Sequence, residues 1–191
     1  MNDQKEKIII GFDMDGVIVN NTQPKIRLAK ALGFKLLPEQ TPSEIISKHL
    51  PLLVLRELQR NLYDNIETAL TTPLMRGARG VLTAVKKSGF PYFLISRRRI
   101  PHIAQGILKK HGLWPYFFDE DNAFFVLEPE DKDVKAAQLG VTHYIDDEVG
   151  VISKLNSVKC RFLFDQFNIF SHQPHYTKVT SWAEVKKRLF G

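Results

Sequence analysis

Five short runs, Ile8 to Phe12, Tyr92 to Ile95, Ala123 to Leu127, His143 to Ile145 and Cys160 to Phe164, are almost wholly apolar and show no polar alternation. That is the pattern of strands buried on both faces of a parallel sheet. Between them lie segments of helical periodicity: Ala78 to Lys87 ending at Gly89, Ile100 to His111 ending at Gly112, Lys132 to Leu139 ending at Gly140, and Val149 to Leu155. Glycine just past the last turn is a common helix stop. Strand and helix alternating in this order predict an α/β fold, a Rossmann-like doubly wound parallel sheet with right-handed crossovers. Near the end, Ser181-Trp182-Ala183-Glu184 has the spacing of a capping box and opens a basic amphipathic helix running to Phe190, assigned to packing. At 191 residues, 43% of them hydrophobic, the chain suffices for one such domain with a small insertion, and two full-sized domains do not fit.

Residues 20–76 break the alternation. Pro24 to Leu32 predicts a helix, Thr41-Pro42-Ser43-Glu44 a capping box with proline at the first helical position, and Leu52 to Leu70 a long helix with an apolar stripe. The expected organisation is therefore a core of residues 1–19 and 77–191 with a small helical cap, residues 20–76, inserted after the first strand. An element so placed is positioned to act as a lid.

Ligands of open α/β sheets bind beyond the carboxyl ends of the strands, and the polar residues of note cluster there. Asp13 and Asp15 follow the first strand, Ser96 the second, and Asp146 and Asp147 the strand through Tyr144 and Ile145; Lys132 opens the helix leading into that strand. Carboxylates gathered within about 4 Å repel by about 4 kcal/mol per pair at an effective dielectric of 20, so a cation is required among them. Oxygen ligands without histidine or cysteine favour a hard ion, and Mg2+ is the usual choice where a phosphate completes the shell. Such an ion neutralises an incoming phosphate as well. Lys132 and Ser96 are placed to hold phosphoryl oxygens, and Gly16 removes a side chain where backbone approaches that group.

Asp13-Met14-Asp15-Gly16-Val17 after its apolar strand resembles the first motif of the haloacid dehalogenase superfamily, Tyr92 to Ser96 its second, Lys132 its third, and Tyr144-Ile145-Asp146-Asp147 its fourth in the double-aspartate form. The four occur in the superfamily's order, and the resemblance spans nearly the whole chain. It implies a Mg2+-dependent phosphatase that hydrolyses a small phosphate monoester through an aspartyl-phosphate. Asp13 would be the nucleophile and Asp15 the general acid and then base. The metal would be held by Asp13, the Asp15 carbonyl, Asp146 and Asp147, with the inner-sphere member of the last pair left open. Lys135, one turn on, competes with Lys132 for the phosphate. The insertion matches the position of the superfamily's small helical cap, which accompanies small soluble substrates; nucleoside monophosphates and sugar phosphates both suit it.

Other features point to bland roles. Asp146-Asp147 alone could cap the following helix, and His172 and His175 lack a third metal ligand. Asp119-Glu120-Asp121 reads as a solvated turn. In Arg97-Arg98-Arg99 the three side chains cannot all face one way, so the run is expected to be a partly solvated loop, with Arg97 a candidate for substrate contact. The net charge of +6 suits an anionic ligand. However, the aromatic stretches Tyr116-Phe117-Phe118 and Phe124-Phe125 carry no interleaved basic residues, so nucleic acid is not expected as a partner. A catalytically idle binding or regulatory protein of the same fold and a nucleic-acid end phosphatase are the competing functions. Cys160 is the only cysteine, excluding an internal disulfide and a cysteine metal cage. The polar start and the absence of a long apolar stretch give a cytoplasmic, membrane-free expectation. Composition carries no oligomeric state.

Overall fold

Strand β1 (Ile10–Phe12) lies inside a six-stranded parallel sheet, as its uninterrupted apolar sequence requires. In the computed structural model, which describes residues 7–191, the other strands are β2 (Tyr92–Arg97), β3 (Ala123–Val126), β4 (His143–Asp146), β5 (Cys160–Phe164) and β6 (Thr177–Val179), in the spatial order β3-β2-β1-β4-β5-β6. Residues 1–6, which carry most of the polar start, lie outside the described residues. The order reverses at β1, which pairs with β2 through Ile10 opposite Tyr92 and with β4 through Ile10 opposite His143. The crevice at the tips of β1, β2 and β4 is thus the topological switch point.

The helices are α1 (Thr22–Ala31), α2 (Ser43–Ile46), α3 (Leu52–Tyr63), α4 (Ile66–Leu70), α5 (Ala78–Ser88), α6 (Pro101–Lys110), α7 (Pro129–Leu139), α8 (Val149–Ile152) and α9 (Trp182–Phe190). Successive strand residues face opposite ways. Leu94, Ile145 and Phe164 therefore join a hydrophobic cluster with Val81 and Leu82 of α5, Ile107 of α6 and Val185 of α9. Their neighbours Ile95, Tyr144 and Leu163 join a second cluster with Ala136 of α7 and Ile152 of α8. The helices α1 to α4 follow β1 directly, and a third cluster, Ala29, Leu36, Ile46, Leu50, Leu55 and Leu58, lies among them. Ala69 of α4 belongs to the α5/α6 side of the sheet instead.

Several local expectations are corrected. The stripe from Leu52 to Leu70 is two helices, because Asp64 ends α3 and Asn65 caps α4 by accepting a hydrogen bond from the Thr68 amide at 3.0 Å. Thr41 forms no capping box: its hydroxyl donates to the Pro38 carbonyl at the end of a 3-10 turn, and Glu44 accepts from the Gly150 amide. Ser181 does accept from the Glu184 amide at 3.4 Å, but the Glu184 carboxylate returns to the Thr180 amide, one residue early. The helix expected over Val149 to Leu155 is the single turn α8, and β6 was not expected at all.

Candidate active site

The loop after β1 is bound tightly to the sheet before it leaves it. The Asp13 amide donates to the Ile145 carbonyl at 2.9 Å, and the Met14 carbonyl accepts from the amides of Ile18 and Val19. Asp13 is thereby held beside the tip of β4, buried, with Asp146 as the last residue of that strand. Lys132 sits one turn into α7, and its ammonium lies between the two, 2.8 Å from Asp13 Oδ1 and 2.7 Å from Asp146 Oδ2. Lys135, by contrast, lies over the ring of Phe124, 4.9 Å from its centroid. Asp147 completes a group of three: one carboxylate oxygen each from Asp13, Asp146 and Asp147 lie within 4.8 Å of one another. The other Asp146 oxygen accepts from the Glu148 amide at 3.0 Å, a turn contact that holds the carboxylate toward the cluster but does not cap α8, whose N-cap residue is Glu148 itself.

Gly16 holds φ at +75°, and a β-carbon there would lie 2.0 Å from Asp147 Oδ2. The space that the missing side chain leaves is taken by the Asp147 carboxylate, a demand for glycine here in addition to the expected approach of backbone to a phosphate.

Asp15 is not part of the three-carboxylate group. Its Oδ1 accepts from Asn21 Nδ2 at 2.8 Å and Arg98 Nη2 at 2.7 Å, and its Oδ2 accepts from Arg98 Nε at 2.7 Å. Arg98 is 4% exposed, and its guanidinium stacks on the ring of Tyr63 from α3, 4.7 Å from the centroid. The arginine run is thus not a uniform solvated loop. Arg97 and Arg99 are exposed and Arg98 is buried, and the exposed Arg97 lies 4.0 Å from Glu148. A signal for Arg98 exists in the period of the strand, since Ser96, buried on the cavity side, is two residues earlier and points the same way.

Burial raises the carboxyls of all three grouped acids above the ordinary range. At Asp13 Lys132 opposes the rise and Asp15 adds to it. Asp146 is pushed up to about 7 by burial, against the pull of Lys132. Asp147 is raised well above the usual range by burial and then by repulsion from Glu148, Asp146 and Asp13. Burial alone would lower the Lys132 ammonium, but the Asp13 and Asp146 carboxylates outweigh it and hold the group well above the usual lysine value. One lysine therefore does not balance the acids. A convergent set of carboxylate oxygens short of positive charge, with a glycine giving room to the third, fits a hard divalent cation.

Asp13, Lys132 and Asp147 lie at the floor of a cavity of about 690 Å³, lined also by Asp15, Ser96 and the three arginines of the run, with Asp146 buried beneath it. Its opposite wall is α3. That helix buries Leu55, Leu58 and Leu62 and turns Arg56, Gln59, Arg60 and Tyr63 to the cavity, at i, i+3, i+4 and i+7. From α1 comes Lys25, buried against the same cavity with its ammonium 2.9 Å from the Thr41 carbonyl; burial lowers its pKa. Sequence reasoning singled out neither Arg98 nor Lys25, and a lysine in a short helix carries no signal of burial.

A parallel sheet ordered 3-2-1-4-5-6, acid-bearing tips at its switch point and helices inserted after β1 define the fold of haloacid dehalogenase-like hydrolases. Solved structures agree over almost the whole chain. A haloacid dehalogenase (HAD) family hydrolase from Deinococcus radiodurans R1, with phosphate and sodium bound, matches with a TM-score of 0.61 at 17% identity, over 96% of this chain and 95% of that one. A conserved haloacid dehalogenase-like protein of unknown function from Agrobacterium tumefaciens str. C58 matches at 0.65 and 18%, over 96% and 98%. A protein from Haemophilus somnus 129pt, named a predicted phosphoglycolate phosphatase, matches at 0.65 and 15%, over 97% and 99%. No protein-family model matches the chain, and no curated protein matches it by sequence. Among the described residues no helix is long and apolar enough to cross a membrane.

Proposed function

We propose that the protein is a Mg2+-dependent phosphatase of small phosphate monoesters, working through phosphorylation of Asp13. The observation that carries this reading is the position of Lys132 between Asp13 and Asp146, with Asp147 completing the carboxylate group, at the floor of a cavity large enough for a metabolite. Two of the solved neighbours support it, one through its bound phosphate and one through its name.

In this reading Asp13, the Asp15 carbonyl, Asp146 and Asp147 would hold the cation. When bound, Mg2+ offsets the charge of the phosphate and lets an anionic carboxylate approach phosphorus. Asp13 Oδ1 is fixed by Lys132, which leaves its other oxygen to form the new bond to phosphorus while the ester oxygen departs. Lys132 and Ser96 contact the non-bridging oxygens. Asp15 gives its proton to the departing oxygen, then takes one from the water that attacks the phosphorylated Asp13, releasing phosphate and restoring the carboxylate. The Asp15 oxygen with the single contact, Oδ2 to Arg98 Nε, is the one a leaving oxygen must reach. The helical insert over the cavity acts as the cap, and Arg97 is the exposed member of the substrate-contact candidates.

The test is release of p-nitrophenol from p-nitrophenyl phosphate with and without Mg2+. Native protein is expected to turn over only with the metal, and Asp13→Asn to lose about 10³-fold or more in kcat. Equal rates in the two proteins would refute the proposal.

A further inference from the structure

The cavity extends well beyond what a phosphoryl group fills, and its far wall has a definite chemistry. On the side of the insert, Lys25, Arg56 and Arg60 face it against a single carboxylate, Asp64. Arg60 is already paired with Glu57 on its own helix, and Arg97 is partnered with Glu148. Among the described residues, Arg56 and Arg99 make no ion pair with any carboxylate. Next to Arg99 in the same loop, and lining the same cavity, is Arg98, whose Nη1 is buried without a hydrogen-bond partner, although Nε and Nη2 are both engaged by Asp15. An orphaned buried donor is costly, and an acceptor oxygen from a ligand would satisfy it. The wall offers little to an apolar or aromatic group. Leu127 is the one aliphatic side chain among the lining residues, and the face of Tyr63 is covered by the Arg98 guanidinium.

Resting on the phosphatase reading above, we infer that the substrate carries a second oxyanionic group, a carboxylate or a second phosphate. The group is received by a subsite made of Arg56 and Gln59 from α3 and Arg98 and Arg99 from the loop after β2. Arg98, its Nε and Nη2 already taken by Asp15, contributes the Nη1 donor. Arg56 and Arg99 contribute the unmatched positive charge, and Gln59, between Arg56 and Tyr63 on the same helical stripe, contributes an amide. Because α3 belongs to the insert and Arg98 and Arg99 to the core, such a group is gripped from both sides. A nucleoside, whose distal part is a neutral aromatic ring, is disfavoured by the same wall.

Matched phosphate esters test this directly: 2-phosphoglycolate against ethyl phosphate and 4-phosphooxybutanoate against butyl phosphate, with butane-1,4-diol bisphosphate as the phosphate-tailed arm, all with Mg2+. At least one anion-tailed ester is expected to exceed its neutral partner by about 30-fold in kcat/KM, and the ratio to fall below about threefold in the Arg56→Gln/Arg99→Gln double variant. The arm that shows the larger ratio identifies carboxylate or phosphate as the tail. A ratio near one in native protein, or one unchanged in the double variant, overturns the subsite while leaving the phosphatase standing. Both side chains are exposed, so the double variant should fold; if its melting curve shows otherwise, Arg99→Gln alone carries the same ratio. If native protein hydrolyses none of the esters, p-nitrophenyl phosphate turnover decides the phosphatase reading separately, and calorimetric titration of Asp13→Asn protein with the same probes decides the subsite. Binding of an anion-tailed probe about tenfold tighter than its neutral partner, lost on adding Arg56→Gln and Arg99→Gln, supports it. Equal or absent binding overturns it.

Discussion

Arg98 grips both oxygens of Asp15, Nε to Oδ2 and Nη2 to Oδ1, each at 2.7 Å. The planar fork fixes the orientation of the carboxylate, and Tyr63 stacked on its face fixes the fork in turn. Lysine offers one charged nitrogen and no plane, so it cannot reproduce either contact. Arg98→Met is expected to lower kcat by about 10²-fold through misplacement of Asp15, and Arg98→Lys to restore no more than about a tenth of that loss. Steady-state kinetics on p-nitrophenyl phosphate reads both. A Lys variant as active as native would show that a charge near Asp15 suffices and that the fork is incidental.

Lys132 is the only cation within ion-pair reach of Asp13 and Asp146 among the described residues, and all three side chains are almost fully buried. Lys132→Met leaves two buried carboxylates without it. In Mg2+-free buffer at pH 8 the loss of stability is expected to be about 3–5 kcal/mol, measured by urea unfolding. At pH 5 the loss should be smaller, because the orphaned carboxyls then take up protons. A loss of similar size at both pH values would mean that the acids are relieved in some other way.

Which parts of this arrangement were legible follows from how local each signal is. Asp13, Ser96, Lys132 and the Asp146-Asp147 pair stand at the ends of recognisable strands or in the first turn of a helix, which begins at Pro129 rather than at Lys132, so chain order alone put them at one edge of the sheet. Arg98 was hidden by its neighbours: three arginines in a row look alike in composition, and only the strand alternation through Ser96 separates the middle one. Lys25 had no local mark, since its burial depends on Thr41, sixteen residues on. The break at Asp64-Asn65 is masked by the apolar stripe, which resumes after it, although asparagine is a favoured N-cap residue. β6 is three residues long, too short for any period to show.

Without metal, the carboxylate group should make the fold weaker as pH rises. Burial first, and then repulsion from Asp13, raises Asp146 to about 7 in the folded protein despite Lys132, against an unfolded value near 3.8; Asp13 and Asp147 are raised too. A raised folded pKa means that the folded state holds a proton that the unfolded chain has shed, so the stabilisation is full below about pH 4 and is lost as pH climbs through 7. Urea midpoints in EDTA should therefore fall between pH 5 and pH 8, with a shallower fall in Asp146→Asn. Saturating Mg2+ competes with those protons, and its stabilising increment should grow over the same interval. An EDTA midpoint that rises with pH in native protein and in Asp146→Asn alike would count against the strain assigned to these acids.

Gly16→Ala separates the cation site from the fold. An alanine methyl would meet the Asp147 carboxylate, the mobile end of a side chain rather than backbone, so the chain can accept it by turning Asp147 aside. The φ of +75° adds a backbone cost of about 1–2 kcal/mol, which the two clusters on either side of the sheet should absorb. The variant should therefore fold, with a modestly lower melting temperature in EDTA, yet gain little or nothing from Mg2+, because one of the three carboxylates no longer points at the others. Thermal unfolding of native and Gly16→Ala proteins in EDTA and in Mg2+ reads the two effects separately. A full Mg2+-dependent rise in the variant would mean that Asp147 is dispensable for the cation, and that Asp13 and Asp146 hold it without help from the third carboxylate.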